Sequence, residues 1–236
     1  MSTDFPNSLS RRSLLGLLTA GAAGAGHFAQ ARQTSEHSLL ADLDRGPDSI
    51  LLQTGSTFEK LERHHNEWSR GDVVVRLESQ DFSHGSQWTV RVRSPKTALH
   101  RLRLRWLEPT AGGLSYLGDA WERSYGDLGW RPLDPERVLP WYFFAASGTQ
   151  IVACGVKINP AAFCFWQVDG HGVSLWLDLR NGGTGVQLGK RELTAAMIVQ
   201  ASYSNISSFE AACRFCRLLC DKPKMPASPV YGGNNW

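Results

Sequence analysis

Leu99-His-Arg-Leu-Arg-Leu-Arg-Trp-Leu107 is the stretch that decides the fold class of this chain. Apolar side chains at the even positions from Leu102 to Trp106 alternate with arginines at the odd positions from Arg101 to Arg105. A period of two residues is typical of a strand with one buried face in an antiparallel sheet. We therefore expect the arginines to form a solvated row on the outer face of that sheet. An anion site and a contact to another subunit or domain are the alternatives.

Eight further segments on either side of this strand have the composition of short strands, and glycine-rich turns such as Asp169-Gly170-His171-Gly172 separate them. No helical pattern is interleaved with them, which indicates a sandwich or barrel and excludes alternating βαβ units. About ten strands are too many for one flat sheet. The sequence therefore predicts an all-β domain over residues 50–221, a two-sheet antiparallel β-sandwich. The segments are residues 72–79, 87–93, 115–121, 141–145, 150–157, 162–169, 173–179 and 193–203.

One helix is predicted at the end of this domain, from Ser207 or Ser208 to about Asp221. Ser207 and Glu210 have the spacing of a capping box, in which a serine side chain accepts a hydrogen bond from the backbone amide three residues on. Lys222-Pro223 ends the element, because proline cannot continue a helix. Residues 222–229 contain three prolines and are predicted to be a linker.

The five cysteines are an odd number, which excludes a complete disulfide framework. Cys213, Cys216 and Cys220 fall at i, i+3 and i+7 of the predicted helix and so share one of its faces. A three-thiolate metal site is the alternative, but no fourth ligand lies nearby in the sequence. We therefore interpret these cysteines as small apolar residues packed in the core, and Cys154 and Cys164 in the same way. No metal or cofactor is expected.

The N-terminal residues 1–31 have the pattern of an export signal. Arg11-Arg12 precedes an apolar run from Leu14 to Gly26, and Ala29-Gln-Ala31 is typical of a cleavage site before Arg32. Paired arginines favour the twin-arginine route of bacteria, with an ordinary secretory signal as the alternative. The apolar run is too short for a membrane span, which needs about 20 residues. We therefore expect an exported protein, periplasmic or extracellular, with residues 32–49 as a linker.

Charge and composition limit the classes of partner. The formal net charge of +3 is small and the chain has no basic tail, so nucleic acid is not expected as a partner. Nine tryptophans are a high number, which favours either a large core or stacking against sugars.

The segment after the linker, Tyr231-Gly-Gly-Asn-Asn-Trp236, has the form of a strand that begins another domain. A sandwich, one helix, a proline-rich connection and then this segment resemble the N-terminal region of α-galactosidase-like glycoside hydrolases of the melibiase type. The resemblance covers roughly residues 70–236. It implies a supersandwich-like domain followed by a (β/α)8 barrel, with residues 230–236 as the first barrel strand. Gly233 stands where that family often has a sugar-contacting tryptophan.

The resemblance also implies that catalysis belongs to the barrel and not to the sandwich. Two aspartates on later barrel strands would be the nucleophile and the acid/base, so no catalytic residue is expected in this chain, which would be inactive alone. The chain would then be the non-catalytic domain of a secreted enzyme acting on α-galactoside-like carbohydrates, with the barrel as its intramolecular partner. The alternative is a free-standing carbohydrate-binding or interaction module.

Candidate substrate-binding residues lie in the loop-rich segment 117–130. Aromatic side chains offer a flat apolar face to a sugar ring, and charged groups form strong hydrogen bonds with hydroxyls. The alternative for the charged residues is an ion-pair network that holds the sandwich against the barrel. The candidates are Asp119, Trp121, Glu122 and Arg123, together with Trp236 of the barrel-like segment.

Overall fold

The computed structural model describes residues 39–82, 85–110, 112–122, 128–224 and 228. Strands dominate this part of the chain, and a short 3-10 helix, Leu43–Arg45, precedes them. A single α-helix of the described residues, α1 (Ser208–Leu219), follows them. In chain order the strands are β1 Ser49–Thr54, β2 Thr57–Lys60, β3 Glu62–His64, β4 Glu67–Arg70, β5 Val73–Phe82, β6 Gly85–Arg93, β7 Arg101–Leu107, β8 Ser115–Gly118, β9 Leu139–Pro140, β10 Tyr142–Ser147, β11 Gln150–Val156, β12 Phe163–Asp169, β13 Gly172–Asp178 and β14 Glu192–Ser204.

The strands form two antiparallel sheets that pack face to face. The six-stranded sheet has the order β2-β1-β7-β13-β12-β9, and the eight-stranded sheet has the order β3-β4-β5-β6-β14-β11-β10-β8. One apolar core contains side chains from both, including Leu102 and Trp106 of the first sheet and Val90 and Phe143 of the second. The predicted all-β, two-sheet antiparallel sandwich with one C-terminal helix is confirmed. No helix of the described residues is long and apolar enough to span a membrane.

The alternating stretch forms strand β7, and its apolar residues from Leu102 to Trp106 are fully buried, as predicted. The expected solvated row of arginines is wrong at Arg105. Arg105 is buried, and its Nη2 donates to Asp169 Oδ1 at 2.6 Å. Arg101 and Arg103 are half-buried. The register with β13 explains this burial. It places an aromatic ring or a hydrogen-bonding side chain beside each arginine, and these neighbours reduce the contact of the arginines with water.

The segment before β1 belongs to the sandwich, so the predicted linker over residues 32–49 is wrong for its described part. Leu40 and Leu43 are buried in the main core. Gln200 of β14 fastens the segment, since its side chain accepts from Leu43 N at 3.0 Å and donates to Ala41 O at 3.0 Å. The burial of these apolar side chains in the shared core offsets the conformational entropy that the segment loses when it is ordered. The segment is therefore part of the domain and not a linker. Residues 1–38, with the predicted signal, lie outside the described residues.

Helix α1 packs on the outer face of the eight-stranded sheet. Ser207 Oγ accepts from Glu210 N at 3.1 Å, which confirms the predicted cap, and the helix ends at Leu219, two residues before the predicted end. Ala211, Phe215 and Leu219 are buried at i, i+4 and i+8, so they lie on one face. This face forms a second core with the outward side chains of β10, β11 and β14.

The opposite stripe of α1 faces outward, so the interpretation of its cysteines as core residues is wrong. Cys216 is exposed, Cys213 and Cys220 are only partly buried, and Phe209 on the same stripe is 79% exposed. The helix carries two apolar stripes, and only packing on the sheet selects one. Cys154 and Cys164 are buried as predicted, and burial raises the pKa of each thiol to about 12.

Candidate functional site

The chain crosses from one sheet to the other at Trp141. This residue lies between β9 of the six-stranded sheet and β10 of the eight-stranded sheet, and its φ is 63°. A positive φ is unusual for a bulky side chain and costs free energy. The backbone is held from both sides, because Trp141 N donates to Cys164 O at 3.1 Å and Val156 N donates to Trp141 O at 3.0 Å. The sandwich therefore fixes the position from which the Trp141 ring projects.

Three aromatic side chains meet at this crossing. The ring centroid of Trp121 lies 5.4 Å from that of Trp141 and 5.6 Å from that of Phe163. Trp121 is 50% exposed and Phe163 is 62% exposed. Two large aromatic side chains that remain this accessible on a folded domain present apolar area that the core does not use.

The aromatic surface continues along the outer side of the six-stranded sheet. Phe165 lies 6.4 Å from Trp121, and Phe165 and Trp176 are cross-strand neighbours stacked at 5.8 Å. Phe58 of the edge strand β2 meets Trp176 edge-on at 6.1 Å and is 50% exposed. We call these rings together the aromatic face. Its members are Phe58, Trp121, Trp141, Phe163, Phe165 and Trp176.

A cleft of about 680 Å³ opens beside the aromatic face, where Trp141 and Phe163 form part of its lining. This volume is within the range of small-molecule sites. The cleft also contains charged groups: Asp119, Lys157, Asp178 and Arg180. Asp119 is 6% exposed, and its Oδ1 accepts from Ala120 N at 2.9 Å. The cleft thus combines ring faces with carboxylate and guanidinium groups.

Two arginines bind Asp178, which ends β13 at the rim of the cleft. Arg180 Nη2 donates to Asp178 Oδ2 at 2.6 Å, and Arg101 Nε donates to the same oxygen at 2.8 Å. Burial raises the pKa of Asp178, but the hydrogen bonds from Arg180 and Arg101 outweigh that effect and bring the pKa to about 2. Asp178 therefore stays ionised and holds both guanidinium groups in place.

The ionisation of Asp178 should appear in the pH dependence of stability. Because its pKa is lower in the folded protein, the carboxylate stabilises the fold above the unfolded pKa of about 3.9, and this contribution is lost as the pH falls toward 2. A depression of this size corresponds to roughly 2 kcal/mol. Urea unfolding should show that Asp178→Asn is less stable than the wild type at pH 6, with a difference that shrinks between pH 4 and pH 2. A difference that is constant over this range would contradict the assignment.

The structure brings together two of the residues that were predicted to bind substrate. Asp119 lines the cleft beside Trp141 and Phe163, and Trp121 packs on these same two rings. Strand β8 ends at Gly118, before the predicted end at Trp121, so both residues lie in the connection that follows. Glu122 is exposed. Arg123 and Trp236 lie outside the described residues.

Sequence reasoning missed the other rings of the aromatic face and the Asp178 cluster. A signal was present in β12, which reads Phe163-Cys-Phe-Trp-Gln167 and has aromatic side chains on both faces of the strand. A strand in a two-layer sandwich normally needs apolar side chains on one face only.

No protein-family model and no curated protein matches this chain.

Proposed function

We propose that this chain is a carbohydrate-binding, non-catalytic domain of an exported glycoside hydrolase that acts on α-galactoside-like carbohydrates. The observation that carries the binding role is the meeting of exposed rings and charged groups at one place. The exposed ring of Phe163 lines the cleft that also contains Asp119 and Asp178, and the exposed ring of Trp121 packs against Phe163 beside it. A sugar ring has apolar faces that pack on aromatic rings and hydroxyls that bond to carboxylate and guanidinium groups.

The charges of the cleft argue against the other common use of exposed rings, which is the stacking of nucleobases. Nucleic-acid sites combine aromatic side chains with a positive groove along the phosphates. Here the carboxylates of Asp119 and Asp178 line the same cleft as the cations of Lys157 and Arg180, so the cleft has no excess of positive charge. Carboxylates at this position would repel a phosphate backbone, whereas they accept hydrogen bonds from neutral hydroxyls.

The hydrolase part of the proposal is supported by the order of elements. The sandwich is followed directly by helix α1, which is the order that resembles the N-terminal region of α-galactosidase-like enzymes. In such an enzyme the catalytic aspartates belong to the barrel, and the sandwich supplies binding and support. Export is proposed from the Arg11-Arg12 motif and the apolar run after it.

Calorimetric titration of the full chain with α-linked galacto-oligosaccharides tests the binding role. We expect saturable binding, and we expect Trp121→Ala to weaken it about fivefold, because a ring contact is worth about 1 kcal/mol. Phe209→Ala is the matched control, since Phe209 is an exposed ring on helix α1. Binding that is absent in the wild type, or equal in the wild type and Trp121→Ala, would refute the proposal.

A free-standing carbohydrate-binding module would use the same site, so a separate observation has to distinguish it. Reading the gene downstream of the codon for Trp236 does so. A continuation that encodes alternating strands and helices, with two aspartates at strand ends, supports the hydrolase. Unrelated sequence at that position supports the module.

A further inference from the structure

A row of five outward-facing side chains crosses the six-stranded sheet from its edge to the cleft. Strand register aligns them, since Phe58 pairs with Gln53, Gln53 with Arg101, Arg101 with Asp178, and Asp178 with Phe163. Directly opposed residues in antiparallel strands point to the same side of a sheet. We call this set the cross-sheet row. It belongs to strands β2, β1, β7, β13 and β12 in spatial order.

The cross-sheet row has an aromatic ring at each end and polar side chains between them. The rings of Phe58 and Phe163 at its two ends are 50% and 62% exposed. The three residues between them, Gln53, Arg101 and Asp178, are half-buried and have hydrogen-bonding side chains. Beside the row, ring centroids follow one another at 6.1 Å from Phe58 to Trp176 and at 5.8 Å from Trp176 to Phe165. Such a succession of rings extends beyond what one sugar residue can contact.

The two charged members of the row, Arg101 and Asp178, carry opposite charges and pair with each other. The carboxylate of Asp178 binds the guanidinium groups of both Arg101 and Arg180. In the next row, Arg103 places its guanidinium carbon 5.3 Å from the ring centroid of Trp176, in a cation–π contact. These arginines are thus directed at partners within the sheet, although they outnumber the carboxylate of Asp178. The carboxylates of Asp119 and Asp178 in the adjoining cleft accept hydrogen bonds from hydroxyls and repel an anion, so a neutral ligand rich in hydroxyls fits the cleft and the row together.

The row is also continuous with the cleft. Phe163, its last member, lines the cleft together with Asp178. Trp121 lies against Phe163 and connects the cleft to the stacked pair of Phe165 and Trp176. A ligand that enters the cleft therefore has an aromatic and hydrogen-bonding path leading away from it across the sheet.

We infer that this domain binds a neutral oligosaccharide of several residues, with one end in the cleft and the chain lying along the cross-sheet row to Phe58. The inference rests on the proposed function and defines its ligand as an extended glycan instead of a single terminal sugar. The cleft accounts for binding at one end, and Phe58 is the distal contact that only a longer chain reaches.

Titration of the full chain with neutral α-linked galacto-oligosaccharides of one to five residues tests this. We expect affinity to rise with length and to level off once the chain reaches Phe58. Phe58→Ala should weaken binding of the tetrasaccharide about fivefold and leave the disaccharide unchanged, whereas Trp121→Ala should weaken both. Phe58→Leu keeps an apolar side chain on the edge strand and should show the same selective loss if alanine destabilises β2.

The outcomes separate the two proposals. Equal affinity for the monosaccharide and the tetrasaccharide, or an unchanged tetrasaccharide affinity in both Phe58 variants, overturns the extended site and leaves carbohydrate binding in place. Tighter binding of an acidic oligosaccharide of the same length, with an affinity that falls on addition of salt, overturns the neutral chain. Failure of every oligosaccharide to bind the wild type overturns the proposed function, and this inference with it.

Discussion

Replacing Gly172 with alanine should lower the free energy of unfolding by more than about 3 kcal/mol, a loss of the size that severe backbone conflicts cause. Gly172 begins β13 with a φ of 145°, a conformation that residues with a side chain rarely adopt. A Cβ at this position would lie 2.0 Å from Trp106 O and 3.0 Å from Glu108 N. These are backbone atoms of the neighbouring strand and the residue after it, so no side-chain rotation relieves the clash.

The matched control is Gly170→Ala, two residues earlier in the same turn. A Cβ at Gly170 meets no atom within 4 Å, and we expect a change within about 0.5 kcal/mol. Urea denaturation followed by tryptophan fluorescence compares the two variants. The loss of stability in Gly172→Ala should also disturb the aromatic face, because the β12–β13 hairpin contains Phe163, Phe165 and Trp176. Equal stabilities of the two variants would contradict the geometry of this turn.

Replacing Phe215 with alanine should destabilise the protein by about 3–5 kcal/mol, the usual range for removing a buried aromatic ring. Phe215 is fully buried, and its ring meets that of Phe144 edge-on at 5.5 Å. It packs over Gly155 so closely that a Cβ there would lie 2.9 Å from Phe215 Cε1. The cavity left by alanine would be lined by sheet and helix, so α1 would lose its main attachment.

Phe209→Ala on the same helix is the control, because it removes the same ring from an exposed position. We expect its effect to stay within about 0.5 kcal/mol. Chemical denaturation followed by circular dichroism measures both variants and reports separately on the helix. If Phe209→Ala were as destabilising as Phe215→Ala, the orientation of α1 described above would be wrong.

The strands that the sequence predicted correctly are those whose side chains alternate or form apolar runs. All nine predicted segments correspond to observed strands, from β5 to β8 and from β10 to β14. β7 is the clearest case, since burial of every second side chain is a local consequence of the pleat. Such patterns survive in the sequence because each strand must present one face to the shared core.

The strands that were not identified are short or lie near the edges of the sheets. β2 and β3 are mostly exposed and contain charged residues. Charge on edge strands prevents unwanted pairing with other chains, and it also hides the strand pattern. The buried β9 has only two residues, which are too few to show a period. The buried residues Leu40 and Leu43 were missed because a contact with Gln200, distant in sequence, orders their segment.

The candidate site was predictable only in part. Asp119 and Trp121 were identified by residue type, because rings and carboxylates in a loop-rich segment are typical of sugar binding. Their partners Trp141 and Phe163 were not, since each belonged to a segment interpreted only as a strand. The positive φ of Trp141 has no signature in the sequence, and it depends on hydrogen bonds from two sheets.

By itself, the sequence determined that this chain forms an antiparallel β-sandwich capped by one helix, because alternation and capping are local properties of consecutive residues. Only the tertiary structure decided which face of α1 is buried and which outward side chains become neighbours. Arg101 and Asp178 are 77 positions apart, and they meet because β7 pairs with β13 in one register. A shift of one residue would turn every side chain of the strand to the other face. The cross-sheet row therefore exists only in the folded protein.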